Sequence, residues 1–216
     1  MSSLSADAFD VSDNIGPLES GTSVLLTGEN VDALESVFAR IVAPDDGERS
    51  VVIATDSRGR AVKQSLNGAK RGAGDRSSVL TAAGRSSGDD IKTVDDLSDL
   101  TGMGMEFSAL VADSQQATDQ FRTGIFLCST IAGELDDTRS LYRFLNSTFL
   151  TEIRRSDGIG VCALDTSADI GSNMNSTVTG LKTSFKSHID VEATGRTEAT
   201  LAISDSDGER TVDVSI

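Results

Sequence analysis

The sequence has no tryptophan, one tyrosine and eight phenylalanines among its 216 residues, so aromatic side chains make up only 4 % of the chain. A chain of this length buries most of its apolar surface, and the interior must therefore be mainly aliphatic. No stretch approaches the roughly 18 consecutive apolar residues of a membrane-spanning helix, which excludes a transmembrane protein. Residues 1–13 contain neither a basic region nor an apolar stretch. We therefore expect no secretory signal and a cytoplasmic location.

Cysteine and histidine are also scarce, with two cysteines and one histidine. Cys128 and Cys162 both lie within apolar runs, so the sequence predicts buried structural thiols rather than a disulfide framework or a zinc site. A redox pair would require exposure and a lowered thiol pKa. His188 is the only histidine, which excludes a Cys/His metal cluster. Asp190 close by leaves a single-histidine triad open, but no Gly-x-Ser-x-Gly turn accompanies it, and we expect a surface histidine at the end of a strand.

Lysine is also scarce, with five lysines against 14 arginines. Among the acidic residues, 24 aspartates outnumber ten glutamates. The formal net charge is −15. Short acidic side chains in place of long lysine stems are typical of the proteins of extreme halophiles, in which molar salt screens the repulsion between like charges. The same charge disfavours nucleic acid as a partner, because binding phosphates requires cations.

One segment departs from this acidity. Residues 56–85 carry seven basic and two acidic side chains, a charge of +5, whereas the rest of the chain carries −20. Arg58, Arg60 and Lys63 begin this segment and form a candidate patch for docking a protein partner. The alternative is an ordinary solvated helix and loop.

Apolar runs that alternate with helical periodicity predict an α/β fold, with a parallel sheet flanked by helices. The predicted strands are 24–27, 51–54, 79–81, 124–128 and 158–164, and the predicted helices are 31–41, 60–66, 106–120, 138–155 and 170–181. Residues 86–98 are polar and predict a loop. Alternating apolar positions in 187–193, 198–204 and 211–216 predict a C-terminal antiparallel meander. We predict one domain, residues 21–216, preceded by a polar N-terminal extension, residues 1–20.

The connection after the first strand is where a nucleotide-binding α/β domain places its phosphate loop, G-x-x-x-x-G-K-[ST]. Counted from Gly28, the positions of the second glycine, the lysine and the hydroxyl hold Ala33, Leu34 and Glu35. Glu29, Asp32 and Glu35 add negative charge where phosphates would have to lie. The sequence therefore predicts that ATP does not bind here in the usual manner.

The order of the elements, the stretch 99–108 (DLTGMGMEFS) and the stretch 124–165 resemble the RecA/KaiC-like ATPase superfamily, in a divergent haloarchaeal branch. The resemblance covers about residues 21–216 and implies a RecA-like fold. It also implies that Cys128 stands where the family has the aspartate that holds the Mg²⁺ shell, although Mg²⁺ prefers oxygen ligands. Asp56 stands near the family's water-activating carboxylate, but an aspartate after a strand is also an ordinary helix cap.

These features favour a non-catalytic RecA/KaiC-like protein, a pseudo-ATPase that acts as a scaffold or regulatory module without a cofactor or a metal. The resemblance implies a protein partner, either an active relative or another copy of the chain, since family members commonly form rings. The alternative is a divergent ATP-binding protein or ATPase that uses other residues, among them Asp56 and Arg58. A weaker alternative is nucleic-acid binding through the basic segment.

Overall fold

A computed structural model of the chain describes residues 8–12 and 14–216. Its first two strands, β1 (Ala8–Phe9) and β2 (Leu18–Glu19), pair with each other in antiparallel orientation. The main sheet consists of β3 (Ser23–Gly28), β4 (Arg49–Arg58), β5 (Ser77–Ala83), β6 (Ile91–Thr93), β7 (Phe121–Phe126), β8 (Ile159–Asp165), β9 (Ser187–Ala193), β10 (Glu198–Asp205) and β11 (Gly208–Ser215).

The strand order in the main sheet is β11-β10-β9-β3-β8-β7-β4-β5-β6. All neighbouring strands from β9 to β6 run parallel, whereas β10 pairs antiparallel with both β9 and β11. The predicted fold class, a parallel sheet extended by C-terminal antiparallel strands, is confirmed.

Helices connect the strands. They are α1 (Val31–Val42), α2 (Gly59–Ala69), α3 (Leu100–Gln115), α4 (Cys128–Gly133), α5 (Thr138–Phe144), α6 (Leu150–Arg155) and α7 (Met174–Lys182). A π-helical segment, Leu145–Phe149, joins α5 to α6. The helix predicted over residues 138–155 is therefore continuous, with this one irregular turn inside it.

The helices cover both faces of the parallel sheet. On β3, Val24 and Leu26 pack in a core with α1, whereas Leu25 packs in a second core with α3, α5 and α6. Successive residues of a strand point to opposite faces, so the uninterrupted apolar run of β3 indicates a strand that is buried on both sides. On β7, Gly124 permits close approach of α1, because a Cβ there would lie 2.5 Å from Cζ of Phe38.

The segment before residue 21 was expected to be a polar extension, yet part of it enters the core. Phe9, Val11 and Ile15 are at most 5 % exposed and pack with α1 and the inner face of β10. Phe9 also lies under a guanidinium, with Cζ of Arg122 5.4 Å from its ring centroid. Phe9 and Val11 alternate with polar residues, but this alternation covers too few positions to predict a buried strand.

The helix prediction for residues 106–120 is wrong at both ends. Helix α3 begins at Leu100, because the side chain of Asp99 accepts a hydrogen bond from the Gly102 N–H at 2.9 Å and caps the first turn. It ends at Gln115, ahead of β7.

Two strands were also misplaced. The predicted loop 86–98 contains the edge strand β6, which pairs with β5. Strand β7 ends at Phe126 rather than at Cys128, because Leu127 adopts a left-handed conformation (φ 63°) and turns the chain into α4. The start of β7 was missed because Arg122, a charged residue, interrupts its apolar pattern. Among the described residues, no helix is both long enough and apolar enough to cross a membrane.

Candidate functional site at the carboxyl edge of the sheet

The residues singled out from the sequence lie near the carboxyl ends of the parallel strands, which meet at one edge of the sheet. Gly28 ends β3, Asp165 ends β8 and Arg58 ends β4, while Cys128 follows β7 after one residue. In open α/β sheets this edge is where ligands bind. It is therefore the candidate functional site.

The connection from β3 to α1 consists of Glu29 and Asn30 alone. The Asn30 side chain accepts a hydrogen bond from the Ala33 N–H at 2.9 Å, so one of the free N–H groups of the first turn is occupied by an N-cap. Counted from Gly28, the loop motif would run to Glu35, but the chain is already helical from Val31. The backbone therefore lacks the extended loop that cradles phosphates in the motif.

The three positions predicted to be replaced, Ala33, Leu34 and Glu35, have different surroundings. Ala33 and Leu34 are fully buried in the core beneath β3, and Glu35 is half-buried. The position that matches the phosphate-binding lysine thus holds a core side chain. The retained Gly28 also has a packing role, because a Cβ there would lie 2.6 Å from the Val191 carbonyl oxygen of β9.

The surface beyond the end of β3 is acidic. A cavity of about 590 Å³ lies there, and the carboxylates of Glu29, Asp190 and Glu192 line it together with Asn30 and Thr166. Of the described residues, no lysine or arginine lines this cavity. Like charges repel more strongly near a protein surface than in bulk water, so this cavity disfavours a polyphosphate.

Cys128, which the resemblance predicted at the position of a magnesium-holding aspartate, is fully buried as the first residue of α4. Its Sγ lies 2.9 Å from Sγ of Cys162 on β8, and both cysteines are free thiols. Burial raises the pKa of the Cys162 thiol well above its ordinary value, and the hydrogen bond with Cys128 adds to the rise. Both cysteines are therefore buried thiols, as expected.

Asp56 lies inside β4 rather than after it, and its exposed carboxylate accepts a hydrogen bond from Oγ of Ser57 at 3.0 Å. The residue before α2 is Arg58, and no side-chain hydrogen bond caps that helix. The interpretation of Asp56 as a helix cap is therefore wrong. The strand was predicted to end at residue 54, but β4 continues to Arg58 after a register shift in its pairing with β5 between Ala54 and Arg58.

Two cations of the predicted patch, Arg58 and Arg60, are exposed, and the third, Lys63, is in an ion pair. Arg60 donates a long hydrogen bond, 3.5 Å, to Oγ of Ser87. Lys63 forms an ion pair with Asp90, and its side chain is only 15 % exposed. Its hydrogen bond lowers the pKa of the Asp90 carboxyl.

Two further cations of the basic segment pair within the chain: Lys70 with Asp45, and Arg76 with Asp46. The segment's positive charge is therefore partly neutralised by the fold. Of the three patch residues, Arg58 and Arg60 are exposed and Lys63 is mostly buried.

A polar cluster at the end of β3, beside the acidic cavity, was not predicted. Strands β3 and β9 pair with Thr27 opposite Asp190, and Oγ1 of Thr27 donates to Oδ1 of Asp190 at 2.5 Å. Because that hydroxyl has one hydrogen, it accepts its second bond, at 2.8 Å, from Nε2 of His188. His188 is the second residue of β9, as expected for a histidine at a strand end, and it is half-buried where it lines an open groove. Burial lowers the pKa of His188, Lys182 lowers it further, and Asp190 opposes with a smaller effect.

This cluster does not have the geometry of a Ser-His-Asp triad. In a triad the histidine lies between the nucleophile and the carboxylate, whereas here the Thr27 hydroxyl lies between His188 and Asp190. Thr27 is also only 1 % exposed. The cluster forms one wall of an open groove of about 660 Å³ between α7 and the uncovered face of β9–β11. Among the described residues, no group of three or more His, Cys, Asp or Glu could hold a metal ion.

The sequence contained one sign of this cluster, the alternation of His188 and Asp190 with apolar residues, which places both on one face of a strand. The pairing with Thr27, 161 positions away from His188, depends on β9 lying beside β3. Local periodicity does not predict that neighbour.

Comparison with known proteins agrees with this architecture. The chain superposes on a KaiC-like protein from the hyperthermophilic archaeon Pyrococcus horikoshii OT3 with a TM-score of 0.58, covering 91 % of this chain and 84 % of the other at 14 % sequence identity. At this identity the likeness concerns the fold alone. No curated protein sequence matches the chain. Residues 21–191 match the family described as "Family of unknown function (DUF7504)". The chain has a KaiC-like RecA fold and belongs to the DUF7504 family.

Proposed function

We propose that this protein is a KaiC-like domain that neither binds nor hydrolyses ATP and acts as a scaffold or regulatory module through contacts with other proteins. The observation that carries this proposal is the two-residue connection between β3 and α1. With helix from Val31 onward and Leu34 in the core, neither the backbone nor the side chains at this connection fit a triphosphate.

The chemistry of phosphoryl transfer leads to the same proposal. Transfer of the γ-phosphoryl group depends on positioning and on neutralising charge with a lysine, Mg²⁺ and an oriented water. Leu34 replaces the lysine, Glu35 replaces the hydroxyl and the buried Cys128 replaces the carboxylate. Glu29 and Asp190 add negative charge at the same edge. The fold supplies the framework of an ATPase without the charges that the reaction needs.

The exposed pair Arg58 and Arg60 is the surface that we assign to a partner. These cations lie at the end of β4 and the start of α2, on a chain whose net charge is −15. Charge complementarity favours an acidic protein surface, either on an active KaiC-like relative or on another copy of this chain. The overall charge disfavours nucleic acid.

Two measurements test the proposal. The first follows phosphate release from ATP with Mg²⁺ in molar KCl, and we expect none above the protein-free rate. The second compares co-purification of native partners by the wild type and by Arg58→Glu/Arg60→Glu. Lys63 is left unchanged because its pairing with Asp90 makes it part of the fold.

The matched control is Arg139→Glu/Arg143→Glu, which makes the same charge change on two exposed arginines of α5. Loss of partner in the first double variant alone supports the assigned surface. Equal retention in both variants would rule that surface out. ATP turnover that is lost on Asp56→Ala would instead establish the alternative, a divergent ATPase that uses residues outside 28–35.

A further inference from the structure

Cys128 and Cys162 form a side-chain pair that the proposed function does not use. Their sulfurs are 2.9 Å apart, less than 1 Å longer than a disulfide bond, which measures about 2.05 Å. Both residues are fully buried. They are the only cysteines in the sequence, so neither has an alternative partner within the chain.

The backbone holds the two residues together from both sides. Strands β7 and β8 pair with Ile125 opposite Cys162, and the left-handed Leu127 then turns the chain so that Cys128 faces β8. The single hydroxyl hydrogen of Thr55 is shared between the carbonyls of Phe126 and Leu127, at 3.1 and 3.2 Å, and supports this turn. The approach of the sulfurs is therefore built into the sheet and does not depend on a flexible loop.

In the closed structure the pair is not exposed and the pKa of Cys162 is raised rather than lowered, so it is not a fast redox pair and can react only slowly. The thiolate is the reactive form of cysteine, and the raised pKa of Cys162 makes that form rare. An oxidant can reach the sulfurs only when the chain opens locally. We place the opening in helix α4, which is a single six-residue helix, rather than in β8, which is held by hydrogen bonds to β3 on one side and β7 on the other and so opens at a higher free-energy cost. Cys128, on α4, would be exposed before Cys162, which lies inside β8.

We propose that Cys128 and Cys162 are a site of reversible oxidation that forms an intramolecular disulfide in the folded protein, with a small-molecule disulfide as the oxidant. The Cys128 thiolate attacks one sulfur of the oxidant and releases one thiol, leaving a mixed disulfide on Cys128. The Cys162 thiolate then attacks the Cys128 sulfur and releases the second thiol. The two cysteines are oxidised, one oxidant molecule is reduced to two thiols, and each cysteine proton ends on a released thiol.

The consequence is a covalent link between α4 and β8, across 34 positions of sequence, at the edge where the candidate site lies. The disulfide would prevent the opening of α4 on which its own formation depends. This makes the oxidised state long-lived until a reductant gains access. Formation of this disulfide does not depend on whether the protein binds ATP.

The experiment incubates the full chain with oxidised glutathione in molar KCl, then blocks the remaining thiols with iodoacetamide in denaturant and measures the intact mass. We expect the folded wild type to lose two hydrogens, to take up no iodoacetamide and to regain both thiols after treatment with dithiothreitol. Full alkylation after prolonged incubation, or a disulfide only between two chains, would overturn the proposal.

Two variants test the order of attack. Cys162→Ser should retain glutathione on Cys128, because no second thiol resolves the mixed disulfide. Cys128→Ser should remain unmodified over the same time, because Cys162 stays inside β8. Glutathionylation of Cys162 in folded Cys128→Ser would contradict that order. The wild-type mass tests disulfide formation even where a variant folds poorly.

Discussion

The side chains of Arg122 and Glu48 form an ion pair inside the protein, with Nε of Arg122 2.6 Å from Oε2 of Glu48. The arginine side chain is 0 % exposed and the glutamate side chain 6 %. The guanidinium also donates to the Ile41 carbonyl at 2.9 Å and to the Asp10 carbonyl at 2.8 Å. One residue of β7 thus joins the end of α1 to the N-terminal segment.

Removing one member of this pair should be far more harmful than removing a surface charge. Glu48→Gln leaves the buried Arg122 guanidinium with only the half-exposed Asp45, 3.0 Å away, as a counter-charge, and we expect the free energy of unfolding to fall by about 3 kcal/mol, the low end of the range for breaking a buried pair. Guanidinium chloride unfolding measures the change. Arg143→Ala, which removes an exposed arginine, is the control and should change stability by about 0.5 kcal/mol or less. Equal stability of Glu48→Gln and the wild type would show that the pair contributes little.

Restoring the missing lysine of the phosphate loop should not restore nucleotide binding. Leu34 is fully buried, so Leu34→Lys places an unpaired ammonium group in the core at a cost of about 3 kcal/mol or more. Leu34→Met keeps the volume and should cost less than about 1.5 kcal/mol. ATP titration and chemical unfolding of both variants check this expectation. A stable Leu34→Lys variant that binds ATP would mean that the connection retains the phosphate-binding geometry.

The single histidine reports directly on its cluster. Burial and Lys182 lower the pKa of His188, and its imidazole signal in an NMR pH titration is unambiguous because no other histidine exists. We expect a pKa below the ordinary value of about 6.5, and Lys182→Gln should raise it. A pKa at or above the ordinary value would contradict the observed environment.

The lowered pKa of His188 also determines how the stability of the fold changes with pH. As pH falls through about 6.5, the histidine of the unfolded chain gains its proton before that of the folded chain, so folding loses free energy. We expect the free energy of unfolding of the wild type, relative to that of His188→Gln, to decrease as the pH falls from about 7.5 to about 5.5. The carboxylates are common to both proteins and largely cancel in this comparison. An unchanged difference over this range would contradict the trend.

Salt should stabilise the chain strongly. At −15, repulsion between carboxylates opposes folding in dilute buffer, and the Debye length falls from about 10 Å at 0.1 M salt to about 3 Å at 1 M. We expect the thermal midpoint of unfolding to rise with KCl over this range. Glu29→Lys/Glu192→Lys relieves the acidic cavity and should weaken the dependence on salt. A midpoint that is independent of KCl would exclude a halophilic adaptation.

Much of the fold could be predicted from the sequence, because local periodicity specifies it. The apolar run at 24–27 and the three- and four-residue spacing from Val31 to Ile41 both correspond to elements of the structure. Elements whose identity depends on distant partners were missed. The start of β7 is hidden by Arg122, whose charge is compensated by Glu48, 74 positions away. Strand β6 is stabilised by pairing with β5 and has little pattern of its own.

The candidate site likewise has features that the sequence could predict and features that depend on distant partners. The spacing from Gly28 correctly located the connection between the first strand and helix, since that motif is local. The spacing could not show that Leu34 points into the core. Nor could it show that His188 and Asp190 meet Thr27, because strand order brings them together. The ion pair between Lys63 and Asp90 likewise depends on tertiary structure. It leaves Arg58 and Arg60 as the exposed cations of the predicted patch.

A calorimetric titration of ATP with Mg²⁺ into the full chain in molar KCl tests the central claim most directly. With a two-residue connection, a buried Leu34 and carboxylates along the adjoining cavity, we predict no saturable heat of binding at micromolar concentrations. A saturable heat with a micromolar Kd would contradict the claim and would place the nucleotide outside residues 28–35.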